Sequence, residues 1–170
     1  MRCRNKAPPH PGYHPAMPEP AATTPEPTVT AILGPTGFTT QISARGHHLT
    51  ADEPESVGGS DEGPDPYALL LSSLAACKLM TLRMYADRKR WPMTGASIQL
   101  SHRRVHANDC EDCESTEGHI AMIDSTLELQ GDLDAEQRAR LAEIADRCPV
   151  HRTITGEVVL NTRLADAPES

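Results

Sequence analysis

Aromatic residues are nearly missing from this chain: one Phe, one Trp and three Tyr in 170 residues. A compact monomer of that length would bury little aromatic area, so association with a second copy is expected. Cations are scarce too. Sixteen Lys and Arg face 24 Asp and Glu, a formal charge of −8, whereas a nucleic-acid partner requires clustered positive charge. No apolar run approaches the ~18–20 residues of a bilayer span. The longest, Tyr67 to Ala76, already holds two serines and soon meets Lys78. Neither nucleic acid nor membrane is expected as a partner. The first residues lack the apolar stretch of a secretory leader, which assigns the five cysteines to a reducing compartment, the cytoplasm. There a cysteine is more often catalytic, metal-bound or inert than half of a structural disulfide.

Proline is plentiful where a core is absent. Eight of the first 28 residues are Pro, which suppresses backbone hydrogen bonding, so 1–28 reads as a disordered tail. Met17 is an alternative start, and Cys3 carries no assigned role. Residues 29–165 read as one domain of α+β class.

Within it, "TVTAIL", "GFTTQIS" and "HHLTA" are short β-prone runs separated by "GPTG" and "ARG", a meander of three strands. The acidic, Gly/Pro-rich stretch 52–66 is a loop. Asp65 and Pro66 then start a helix as N-cap and first helical residue, which runs to about Lys89 and stops before Pro92. Leu70, Leu74, Cys77, Thr81 and Met84 recur at helical spacing, yet Leu69, Leu71, Leu79 and Met80 fill other faces. A helix apolar nearly all round is expected to be buried. Two strands follow, 95–107 and 119–131. A second helix, 134–147, opens with a capping box of Asp134 and Gln137, buries Leu141, Ile144 and Ala145, and stops at Pro149. A last strand is expected over 153–164.

Two cysteines stand out by position. Cys77 lies mid-helix, with Ser73 and Thr81 interrupting the apolar stripe around it; Cys148 lies where the second helix ends, among Arg147, His151 and Arg152. A buried thiol is commonly plain packing. Cations beside a thiol instead favour thiolate, the reactive form. At a helix C-terminus the macrodipole disfavours an anion, which makes Cys148 the less acidic of the two. Lys78 points about 100° away from Cys77 around the helix, so Arg45, in the turn "ARGHH", and Arg152 are the better cations for Cys77.

"GPDPYALLLSSLAACKLMTLRMYADRKRWP", "HRRVHANDC" and "RLAEIADRCPVHRT" resemble the OsmC/Ohr family, osmotically inducible protein C and organic hydroperoxide resistance proteins. The likeness spans roughly 30–164, and its specific part is the pairing of a helical "AAC" with a distant "CPV". It implies an intertwined homodimer of α+β subunits, with antiparallel sheets and a buried central helix. It also implies a thiol peroxidase for organic hydroperoxides, with no bound cofactor and an external dithiol as reductant. By motif, Cys77 matches the peroxide-attacking cysteine and Cys148 the resolving one. The family commonly carries Glu one or two residues after the helix-opening Pro, paired with an Arg of the N-terminal sheet. Here those positions are Tyr67 and Ala68, leaving Glu62 or Asp65 as substitutes and Arg45 as the matching cation. The missing Glu favours a second reading, a redox-inactive dimer that binds a small ligand or metal.

Another cysteine pair, Cys110 and Cys113, forms C-x-x-C among Asp109, Glu111, Asp112 and Glu114. Acidic neighbours raise a thiol's pKa, against a redox role. With His106 and His119 the pair makes a candidate tetrahedral zinc set, or else an exposed loop without chemistry. His102 lies ~13 Å from His106 along an extended strand, too far to share the metal. His47 and His48 read as alternating strand positions.

Overall fold

The computed structural model describes residues 28–107 and 118–165; the tail reading for 1–28 falls almost wholly outside them. The order is β1 (Val29–Leu33), β2 (Thr40–Ala44), β3 (His47–Ala51), α1 (Pro66–Lys89), β4 (Met93–His106), β5 (His119–Gly131), α2 (Ala135–Ala145) and α3 (Pro149–Thr155). The expected meander is present: β1, β2 and β3 form an antiparallel sheet in that order. β4 and β5 form a separate antiparallel ribbon, paired from Met93↔Gly131 to His106↔His119.

Between the meander and α1, the chain is folded around one carboxylate. Asp52, buried at 2% exposure, accepts from the backbone N–H groups of Glu53, Ser60 and Glu62 and from the Thr39 hydroxyl. Burial works to raise its pKa, but these donors favour the anion and the net shift is downward. Gly59 passes so close to Glu53 that a Cβ would stand 1.8 Å from its carbonyl oxygen, so only glycine fits.

Asp65 caps α1 as expected, its carboxylate accepting from Ala68 N at 2.8 Å. The helix ends at Arg90, a left-handed residue with φ 56°. One stripe of α1 is buried, Leu74, Lys78, Leu82 and Ala86, and packs against β4, α2 and α3. Leu69, Leu71, Leu79 and Tyr85 are half-buried, whereas Tyr67, Leu70, Met80 and Met84 are exposed in the single chain. By length and mean hydropathy the helix could cross a membrane; its apolar residues are dispersed among polar ones, which is why no unbroken run marks it.

The core joins Leu82 and Ala86 to Met93, Leu133, Leu141, Ile144 and Ala145. The capping box of Asp134 and Gln137 forms. Arg138 of α2 donates to the carbonyls of Leu129, Gly131 and Leu133, fastening the helix to the end of β5.

The expected last strand is absent. Residues Pro149–Thr155 are helical, and 156–165 carry no regular structure. Pro149 stops one helix and, as the first residue after an N-cap, starts another. A strand also needs an edge to pair with, and Val159, Leu160 and Leu164 stand free at 73%, 86% and 99% exposure.

Candidate active site

α1 delivers Cys77 and the α2–α3 junction delivers Cys148. The two are neighbours: Cys77 acts on the Cys148 thiol, helping to raise its pKa, and both are unbridged. Cys148 is wholly buried, whereas Cys77 is half-buried. Cys148 does not sit at a helix C-terminus facing an adverse dipole. It is the N-cap of α3, and its sulfur accepts from His151 N at 3.3 Å. Its pKa is nonetheless raised, chiefly by burial; the His151 N–H draws it down, hydrogen bonding and charge at Cys77 push it up, and the Lys78 ammonium draws it down. The less acidic character expected of Cys148 therefore has burial as its cause.

Lys78 lies elsewhere than the sequence suggests. It is 4% exposed and turned toward the α2–α3 junction, where its Nζ is 2.6 Å from Asp146 Oδ1. The same carboxylate oxygen lies 3.7 Å from His151 Nδ1. Arg45 takes no part in this cluster: it is exposed, at φ 53° in the β2–β3 turn. Asp65 is spent on capping α1. Glu62 gives only its backbone N–H, to Asp52.

Residues bordering the thiol pair line two clefts. One, of about 410 Å³, has apolar walls of Leu70, Leu74, Ile123 and Ile154, with Lys78 and His151 also lining it. The other, of about 380 Å³, is lined by Thr81, Met84, Ile144 and Pro149, and Thr81 Oγ1 donates to the Cys77 carbonyl.

The family's profile for OsmC-like protein matches residues 59–163, the stretch that holds both cysteines. The chain belongs to the OsmC-like family. Among solved structures, this OsmC-like chain is similar to an OsmC-like protein from Mycoplasma pneumoniae (22% identity, TM-score 0.60, covering 77% of this chain and 88% of that one). It is similar to an organic hydroperoxide resistance protein from Legionella pneumophila (18%, 0.55, 76% and 89%). A third is an organic hydroperoxide resistance protein from Elizabethkingia anophelis (15%, 0.56, 74% and 85%). At these identities the likeness is one of fold. No curated protein matches the sequence.

Where the family resemblance leads one to expect Glu, the OsmC-like chain has Tyr67 stacked on His102 of β4, ring centroids 4.4 Å apart. The buried His102 Nε2 has no hydrogen-bond partner among the described residues. His106 and His119 face each other across the end of the ribbon where β4 leads into β5, ring centroids 5.4 Å apart. Cys110 and Cys113 lie outside the described residues. His47 and His48 are successive, exposed residues of β3.

Proposed function

We propose that this chain is a cysteine-based thiol peroxidase that reduces organic hydroperoxides and works as a homodimer. The observation that carries the reading is the meeting of Cys77 and Cys148, because a peroxidatic and a resolving thiol must come within bonding reach. In the cycle, the Cys77 thiolate attacks the O–O bond, releases an alcohol and becomes sulfenic acid. Cys148 condenses with it to a disulfide, and an external dithiol of the cytoplasm restores both thiols by exchange. The apolar clefts beside the pair suit alkyl hydroperoxides better than hydrogen peroxide. The exposed Met80, Met84, Val159 and Leu160 favour a second copy covering them. Arg45, exposed in the β2–β3 turn of the single chain, is the cation that the resemblance assigns to Cys77.

Reduced protein given cumene hydroperoxide should lose about two mass units as two thiols become a disulfide, and peptide mapping should find the bond between Cys77 and Cys148. Cys77→Ser should abolish peroxide consumption. Wild-type turnover by that variant would overturn the reading. A second reading, a redox-inactive dimer binding a small ligand or metal, is favoured by Tyr67 standing in place of the carboxylate. Unchanged mass after peroxide would select it.

A further inference from the structure

A lysine occupies a position where the packing asks for an apolar residue. Lys78 is the only charged member of the buried stripe Leu74, Lys78, Leu82 and Ala86. Ordering and desolvating an ammonium there is costly unless it is paired. The pair it makes is with Asp146, whose side chain is 62% exposed. Such a pair is rarely worth more to stability than an apolar residue of the same size. Its placement gives it another use. The salt bridge reaches from α1, beside Cys77, to Asp146, two positions before Cys148, so the ammonium is held at the turn that carries the second thiol.

Resting on the peroxidase reading, we infer that Lys78 is a positioning residue for its second half, whose ammonium, fixed in the buried stripe of α1 and partly offset by Asp146, steadies the Cys148 thiolate as it attacks oxidised Cys77. In that step Cys148 gives up its proton and its sulfur attacks the Cys77 sulfur. An S–S bond forms, the S–O bond of the sulfenic acid breaks, and the departing hydroxide combines with the proton as water. Burial opposes the thiolate this step needs, and the Lys78 charge acts against that opposition. Around Cys148, α1 presents Cys77 and Lys78, α3 presents His151, and the end of α2 presents Asp146. Toward the adjoining cleft β5 turns only the uncharged Ala121, Ile123 and Ser125. Arg88 of α1 and Arg147 line the second cleft bordering the thiol pair. Arg147 and Arg152 are exposed.

Charge and mere fastening predict different things. Reduced protein is mixed with one equivalent of cumene hydroperoxide, quenched at intervals with a sulfenic-acid trap and weighed, across a range of pH. The rate of disulfide formation should rise with pH through a midpoint. Lys78→Met should move that midpoint up by about one pH unit, roughly a tenfold slowing below it, read as the conversion of trappable sulfenic acid to disulfide so that the rate of the first step does not enter. Asp146→Asn removes the opposing carboxylate charge and should move the midpoint down. Lys78→Arg should stay near wild type. If Lys78→Met does not fold, Asp146→Asn at its exposed position carries the test alone. A midpoint that stays put, or moves the same way in both variants, overturns the inference while leaving the peroxidase reading intact. Absence of any Cys77 oxidation in the wild type overturns both.

Discussion

The Tyr67 ring lies almost parallel to His102, with centroids 4.4 Å apart and planes 16° apart. The stack ties the first turn of α1 to the middle of β4, at the place where the family resemblance leads one to expect a carboxylate. Stacked rings contribute about 1 kcal/mol beyond the area they cover. Tyr67→Ala should therefore lower unfolding stability by about that much, read as a lower urea midpoint at unchanged slope.

Cys148→Ser separates the two halves of the proposed cycle. Its serine can still cap α3, so the fold should survive, but nothing remains to resolve the oxidised thiol. One round of oxidation should occur, with Cys77 collecting as a trappable sulfenic acid or moving on to sulfinic acid. Steady turnover with reductant should fall at least about tenfold. Undiminished turnover would mean that another thiol resolves the intermediate.

Asp52 makes stability depend on pH in a defined direction. Its folded pKa is lowered, so the stabilisation is fully present above the unfolded carboxylate value of about 3.9 and is lost as pH falls through the lower folded value. Asp52→Asn removes that dependence and leaves N–H groups of the 52–65 loop with a weaker acceptor. The variant should be less stable at pH 7, and the gap between the two proteins should close toward pH 3. Parallel urea midpoints over that range would contradict this account of the loop.

Arg90 ends α1 at φ 56° and ψ 37°, a conformation that costs a residue with a Cβ about 1–2 kcal/mol. Glycine adopts it freely but loses more chain entropy on folding. Arg90→Gly should leave a net gain of about 1 kcal/mol, a rise of about 2–4 °C in Tm. Calorimetry on reduced protein reads it directly.

The pair Cys110 and Cys113 separates metal binding from peroxide chemistry. Cys110→Ser/Cys113→Ser should keep the proposed peroxidase activity, because acidic neighbours in the sequence are expected to disfavour a thiolate there. If this pair binds zinc with His106 and His119, metal analysis of unchelated protein should give about one ion per chain, lost in the variant. Lost activity without metal would place this pair in the redox cycle instead.

Local signals in the sequence translated well. The Asp65–Pro66 start of α1, the capping box of α2 and the bounds of β5 depend on residues within a few positions of one another, and all three were legible. Non-local features were not. Lys78 was set aside as a cation for Cys77 by its direction around the helix, and its pairing with Asp146 shows only in the fold. Cys148 was read as the end of one helix, although the proline after it begins another. The run Val158–Val159–Leu160 has the composition of a strand, but composition supplies no edge for it to join. Arg45 lies on the N-terminal sheet, as the resemblance implies, but the sequence carries no signal of how far that sheet stands from the thiols.

Cys77 and Cys148 meet across 71 positions of chain, which gives the oxidation state of the pair a thermodynamic weight. A bond between them would close that loop in the unfolded ensemble as well, and in the chain-entropy account a constraint of this length is worth about 4 kcal/mol. By linkage, the fold would hold its disulfide against reduction by the same amount, about 90 mV relative to the same bond in an unfolded chain. The oxidised protein should then be the more heat-resistant form, and in the proposed cycle the reductant would have to overcome that preference at each turnover.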